Sequence, residues 1–295
     1  MNTTNMNRAE QTHRTRRSTT KEDDQKPSAQ HLFNEIRRAI VGATTHQFLI
    51  YEDVEPKIGS LIVDSLGEDQ VVEDAAPRIG YDSHTLTLTI HIMPNFIHDI
   101  FQPWIIDEVK NHMVTSGFIT AAEASLLMVF SGTKYRSFVG PYAGSSKQPG
   151  LAIVPLNPQL LGIGMPSLAI ESGWSESLPR LHRDMRQWLI GGGGAVQTVL
   201  LFKWYRLSGG RVRGLAELYD LDSAGNERLL QEEVVFPVPT PGTTAAAQGI
   251  TIERGQLFGN SLPMGRNPHD TYRFSLDAFR RLAVRGIAED GYVPA

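Results

Sequence analysis

The chain contains no cysteine. Disulfide bonds and thiolate metal sites are therefore excluded, and a reducing compartment fits that composition. It also lacks any apolar run approaching the ~20 residues needed to cross a bilayer. The N-terminus has no hydrophobic segment, so a secretory signal is not expected. These absences set the expectation of an intracellular protein, in cytoplasm or nucleus, with no membrane partner. Strong positive charge is missing too: the formal net charge is −4 over 295 residues. Binding to nucleic acid would then need a local patch rather than bulk charge. There is no Gly-x-Ser-x-Gly elbow, no His-Glu-x-x-His and no phosphate-loop Lys-Ser/Thr after Gly191–Gly194, which removes three common enzyme signatures.

What is present begins with a polar tail. Residues 1–30 carry few large apolar side chains and cannot bury enough surface to offset the entropy of ordering, so they are expected to be disordered. Arg14, Arg16 and Arg17 make the tail locally basic. Leu32, Phe33, Ile36 and Ile40 recur at helical spacing and predict a helix over His31–Val41. Gln47–Tyr51 and Ser60–Val63 have the look of short strands. His84–Ile92 alternates, with Leu86, Leu88, Ile90 and Ile92 on one face and Thr85, Thr87, Thr89 and His91 on the other. Asn95–Thr115 carries Ile97, Phe101, Ile105, Val109 and Met113 at intervals of four, an amphipathic helix with Asn95 as N-cap and Pro103 as a misfit.

The segment 145–204 organises the rest. Two apolar runs, Leu151–Val154 and Leu168–Ile170, are short enough to be buried strands, and the second ends on Glu171. A helix follows to about Ile190, capped by Ser175 or Ser177, with Leu181, Met185, Trp188 and Leu189 in its stripe. Val196–Trp204 is the next strand and contains Lys203 near its end. Strand, helix, strand predicts a crossover with the two strands parallel and adjacent. Leu215–Leu221, Glu233–Val238 and Thr251–Phe258 read as further strands, Pro239–Gln248 as a loop, and Ser275–Ile287 as a last helix. The fold expected is α/β: a central mixed sheet flanked by helices over 31–206, with a β-rich C-terminal extension, 207–295, packed on it.

A carboxylate at the end of a buried strand can face a crevice and hold a hard cation such as magnesium. Glu171 is the candidate for that role. Its structural alternative is an ion pair with Arg180 or Arg183. Lys203 could steady a water or a phosphate oxygen, and its alternative is a plain strand residue. Lys147, in Ser145-Ser146-Lys147-Gln148-Pro149, is a loop lysine open to either reading. His91, His98 and His182 lack metal-ligand spacing and are read as satisfied residues, with His98-Asp99 a supporting pair.

The order of these pieces resembles a known family. Met93-Pro94-Asn95-Phe96-Ile97-His98-Asp99, Ser145–Pro149, Pro166-Ser167-Leu168-Ala169-Ile170-Glu171-Ser172-Gly173, Ser175-Glu176-Ser177 leading to Trp188-Leu189, and Val199–Lys203 are similar to motifs of restriction-endonuclease-like proteins abundant in fungi, members of the PD-(D/E)XK nuclease superfamily. The likeness covers roughly residues 79–206. It implies a restriction-endonuclease-like core and phosphodiester hydrolysis of nucleic acid with Mg2+ or Mn2+. The metal-binding aspartate of the family falls on Gly150 here, its second carboxylate on Glu171, and its lysine on Gly173. A replacement amine would come from Lys203, Arg180 or Arg183, and an early-helix acid from Asp99 or Glu35. Two functions are therefore expected in competition: a weakened metal-dependent nuclease, or an inactive nuclease-fold module that binds nucleic acid or another partner.

Overall fold

The computed structural model describes residues 14–15, 28–93, 95–157, 163–239 and 248–295. Most of the polar tail and nearly all of the Pro239–Gln248 loop lie outside these residues. Thirteen strands are seen among the described residues: β1 Arg14–Thr15, β2 Gln47–Tyr51, β3 Arg78–Asp82, β4 Thr87–Ile92, β5 Leu127–Phe130, β6 Leu151–Pro155, β7 Leu168–Gly173, β8 Thr198–Arg206, β9 Arg211–Leu221, β10 Glu227–Phe236, β11 Gly249–Glu253, β12 Thr271–Ser275 and β13 Val293–Pro294. The large sheet has the order β10-β9-β8-β7-β6-β5, with β13 beside β9. Its neighbours are antiparallel except β7 with β8 and β13 with β9. A smaller sheet runs β1-β2-β4-β3, and β11 pairs with β12.

The parallel pair is the crossover anticipated above. Its helix, Leu178–Gly191, starts after Ser177 with Pro179 in the first turn, where a missing N–H costs nothing. The helix buries Leu181, Met185, Trp188 and Leu189 against Ala169, Val199 and Leu201. The opposite face of the sheet carries Leu168, Ile170, Leu200, Phe202 and Trp204. It packs on the helical run Phe96–Thr115 and on the last helix, Leu276–Glu289. Trp104 and Phe279 stack there at 4.7 Å between ring centroids. The C-terminal segment is thus continuous with the sheet through β9 and β10 and closes the same apolar core.

Two local expectations are corrected. Ser60–Val63 is not a strand but part of a helix, Pro56–Glu68, which buries Ile62, Val63 and Leu66. A four-residue apolar run carries no period of its own, and Pro56 at the first helical position was the better signal. Thr251–Phe258 divides into β11 and a short helix, Arg254–Phe258. The Pro103 misfit resolves simply. The helix Phe96–Asp99 ends at Ile100, and Pro103 sits in the first turn of the next, Phe101–Asp107. A π-helical turn, Glu108–His112, follows.

The small sheet reaches the large one through residues 145–148. Tyr81 and Ser146 exchange backbone hydrogen bonds of 2.7 and 2.9 Å, and Tyr135 and Lys147 do the same at 2.8 and 3.0 Å. Gln148 accepts from the Ile79 N–H at 2.7 Å and donates to the Gly132 carbonyl at 2.7 Å. Pinned on both sides, this loop holds Lys147 at a fixed place between the two sheets.

Candidate binding cleft

The polar face of β4, with Thr87 and Thr89, looks across a cleft at the helix Leu178–Gly191. The cleft is narrow and is lined also by Lys147, Glu176, Arg180, Arg183, Asp184 and Gln187. A second small hollow shares Lys147 and Asp184 and adds Arg78, His91, His98 and Glu171.

Lys147 is central to both. Its ammonium lies 2.8 Å from Asp184 Oδ2 and 3.7 Å from Glu171 Oε1. Burial alone would lower its pKa. Attraction from Asp184, then Glu171, then Glu176 outweighs burial and raises it. Glu171 is held at two further points by the fold. Trp188 Nε1 donates to Oε1 at 2.7 Å, and the Gly150 N–H donates to Oε2 at 3.2 Å. Its strand register places it opposite Leu201. Burial raises the Glu171 pKa, with Lys147 opposing. Glu176 is buried as well, and burial followed by repulsion from Asp184 pushes its pKa well above the usual carboxylate range. Among the described residues Glu176 has no hydrogen-bond or ion-pair partner; Lys147 and Lys203 attract it from a distance.

The ion pair of Glu171 is therefore with Lys147, not with Arg180 or Arg183. Arg180 reaches Glu52 at 3.3 Å, and Arg183 is exposed at the rim. Lys203 lies opposite Gly173, on the same face as Glu171, since partners in register point the same way. It does not engage Glu171. Its ammonium donates to the carbonyls of Trp204 at 2.8 Å, Trp174 at 3.3 Å and Gly173 at 3.4 Å. Burial lowers its pKa to about 8, against the pull of Glu176. Asp99 binds Arg78 at 2.7 Å and His98 Nδ1 at 2.9 Å, and so touches two residues that line the second hollow without lining it itself. Glu35 lies elsewhere, beside Arg38 and Gln47.

Sequence reasoning placed Glu171, Lys147, Arg180 and Arg183 as candidates, and all four line this cleft system. It missed Asp184 and Glu176. Asp184 follows Leu181 by three and precedes Trp188 by four, which sets it on the flank of the buried stripe. That spacing was the available signal. Glu176 was hidden inside a capping segment.

The residues present do not fit a magnesium or manganese site as they stand. Hard divalent ions want free carboxylate oxygens. Here Asp184 and Glu171 face an ammonium, and Glu171 also accepts from an indole and an amide. Position 150 offers no side-chain oxygen, and a side chain there meets Phe101 Cζ at 2.8 Å and the Ile170 carbonyl at 3.0 Å. Among the described residues no three His, Cys, Asp or Glu side chains gather as a metal ligand set. Gly150→Asp is accordingly expected to destabilise the fold by about 1–3 kcal/mol through overpacking, with no gain of cleavage. Chemical denaturation and a supercoiled-plasmid nicking assay check both halves.

Among the described residues no helix is long and apolar enough to cross a membrane. Comparison with protein-family models, with curated proteins and with solved structures returned no match for this chain.

Proposed function

We propose that this chain is a non-catalytic nucleic-acid-binding module on a restriction-endonuclease-like scaffold. The observation that carries the reading is the Lys147 ammonium seated among Asp184, Glu171 and Glu176. A side chain supplies the positive charge that a bound cation would bring. Gly150 supports the same reading, because the position the family gives to a metal ligand is closed by Phe101. The resemblance in sequence suggests the ligand class, and Arg180 and Arg183 supply cations at the cleft rim for phosphate oxygens. The test is calorimetry with MgCl2 and MnCl2, run beside the nicking assay. No micromolar affinity and no metal-dependent cleavage are expected.

A second reading, metal-dependent phosphodiester hydrolysis, is favoured by Glu176, a buried carboxylate without a partner among the described residues and close to the strand ends. It predicts micromolar Mn2+ affinity and cleavage in the parent, both lost in Glu171→Ala. That outcome would overturn the first reading.

A further inference from the structure

The hairpin joining β8 to β9 continues the Glu171 face of the sheet beyond the cleft. Register places Lys203 opposite Leu215 and Tyr205 opposite Arg213. Two residues on, Arg211 shares that face. The turn between the strands is tight, with Gly209 and Gly210 at φ 72° and 70° in the left-handed region. Arg206, Arg211 and Arg213 are all exposed. Among the described residues none of the three has an ion-pair partner; Arg211 Nε donates only to the Ser208 carbonyl, at 3.3 Å. The Tyr205 ring carries the Lys203 ammonium at 5.0 Å and the Arg213 guanidinium at 5.7 Å. Arg206, on the opposite face, lies 5.0 Å from the Trp174 ring centroid and 5.1 Å from that of Tyr292.

In a chain of net negative charge, this is a concentration of guanidinium groups without ion-pair partners among the described residues, alternating with aromatic rings, with Glu217 and Glu232 the nearest acids on the Tyr205 face. The rings hold two of the guanidiniums by cation–π attraction, which limits their freedom without neutralising them. Arg211 and Arg213 sit about 6.8 Å apart along an extended strand, so both can face one linear polyanion. Guanidinium forks bind phosphate oxygens in pairs, and half-buried tyrosine offers a surface for a base. An anionic membrane is the poorer match. Leu207 is the one large apolar side chain at least a third exposed in the hairpin, too little to enter a bilayer interface.

The geometry points to the hairpin 205–213 as a docking strip for the phosphate backbone of single-stranded nucleic acid, leading toward the cleft. This rests on the binding reading above and adds where the strand lies. The test uses the full chain and a fluorescent oligothymidylate of about 20 nucleotides at about 50 mM salt. The double variant Arg211→Gln/Arg213→Gln should weaken binding at least about tenfold. Each phosphate contact contributes roughly 0.7 to the logarithmic salt slope on single strands, so the slope should fall by about 1.4. Arg211→Lys/Arg213→Lys should retain most of that slope, which separates charge from folding damage. An unchanged affinity in the Gln variant, with loss in Arg180→Gln/Arg183→Gln, would overturn the strip and keep the cleft. No binding by the parent would overturn both. Binding of phosphatidylserine vesicles but not the oligonucleotide would overturn the strip as a nucleic-acid surface.

Discussion

Replacing Lys147 with methionine should cost about 3–5 kcal/mol at neutral pH, the range for leaving a buried charge without its partner. Methionine matches the length of the stem, so little packing is lost. What goes is the ammonium that Asp184 and Glu171 face and that attracts Glu176. The pH dependence distinguishes this from a packing defect. Glu171 and Glu176 already have pKa values raised above their unfolded ones, and losing Lys147 raises them further. A group whose folded pKa is raised contributes stability below the unfolded value, and that contribution is lost as pH climbs through the folded value. The penalty of the variant should therefore be largest at pH 7.5 and shrink toward pH 5. Urea midpoints of parent and variant at both values measure it. An equal penalty at the two would show that charge is not the cause.

The second large effect is expected from Glu108→Ala. Glu108 is buried in the π-helical turn. Its carboxylate accepts from Trp104 Nε1 at 3.1 Å, the Tyr272 hydroxyl at 2.5 Å and the Ser275 N–H at 3.0 Å. Alanine leaves these donors without their acceptor, at about 1–3 kcal/mol for each one that water cannot reach. A total of about 3–5 kcal/mol is the expected loss in denaturant unfolding. Glu108→Gln keeps one acceptor oxygen and should cost less. If alanine and glutamine cost the same, the hydrogen bonds are not what Glu108 contributes.

Much of the architecture was legible because it rests on local periods. The stripe Leu181, Met185, Trp188 and the run Val199–Phe202 could be paired as a crossover from spacing alone. The helix Phe96–Thr115 was readable from its four-residue interval, although the π-helical turn that lets Glu108 face inward beside Val109 leaves no mark in the sequence. The site was legible in its members and not in its pairing. Nothing along the chain says that a loop lysine, Lys147, will reach Glu171 before Lys203 does. That choice is made by Tyr81 and Tyr135, whose backbones clamp residues 146 and 147 and which lie far from Glu171 in sequence. β3, to which Tyr81 belongs, has too short an alternation to separate from its surroundings.

The stacking of Trp104 on Phe279 has a consequence for how the protein is made. Helices near the middle of the chain and near its end share one apolar core, and β9 and β10 lie between them. During synthesis that face of the sheet is covered only in part, by residues 96–115, until the helix Leu276–Glu289 has been made. Contacts of such wide sequence separation close slowly and leave sticky intermediates open to aggregation. A chain truncated after β8 is expected to expose that apolar face and aggregate, which light scattering of the truncated protein checks.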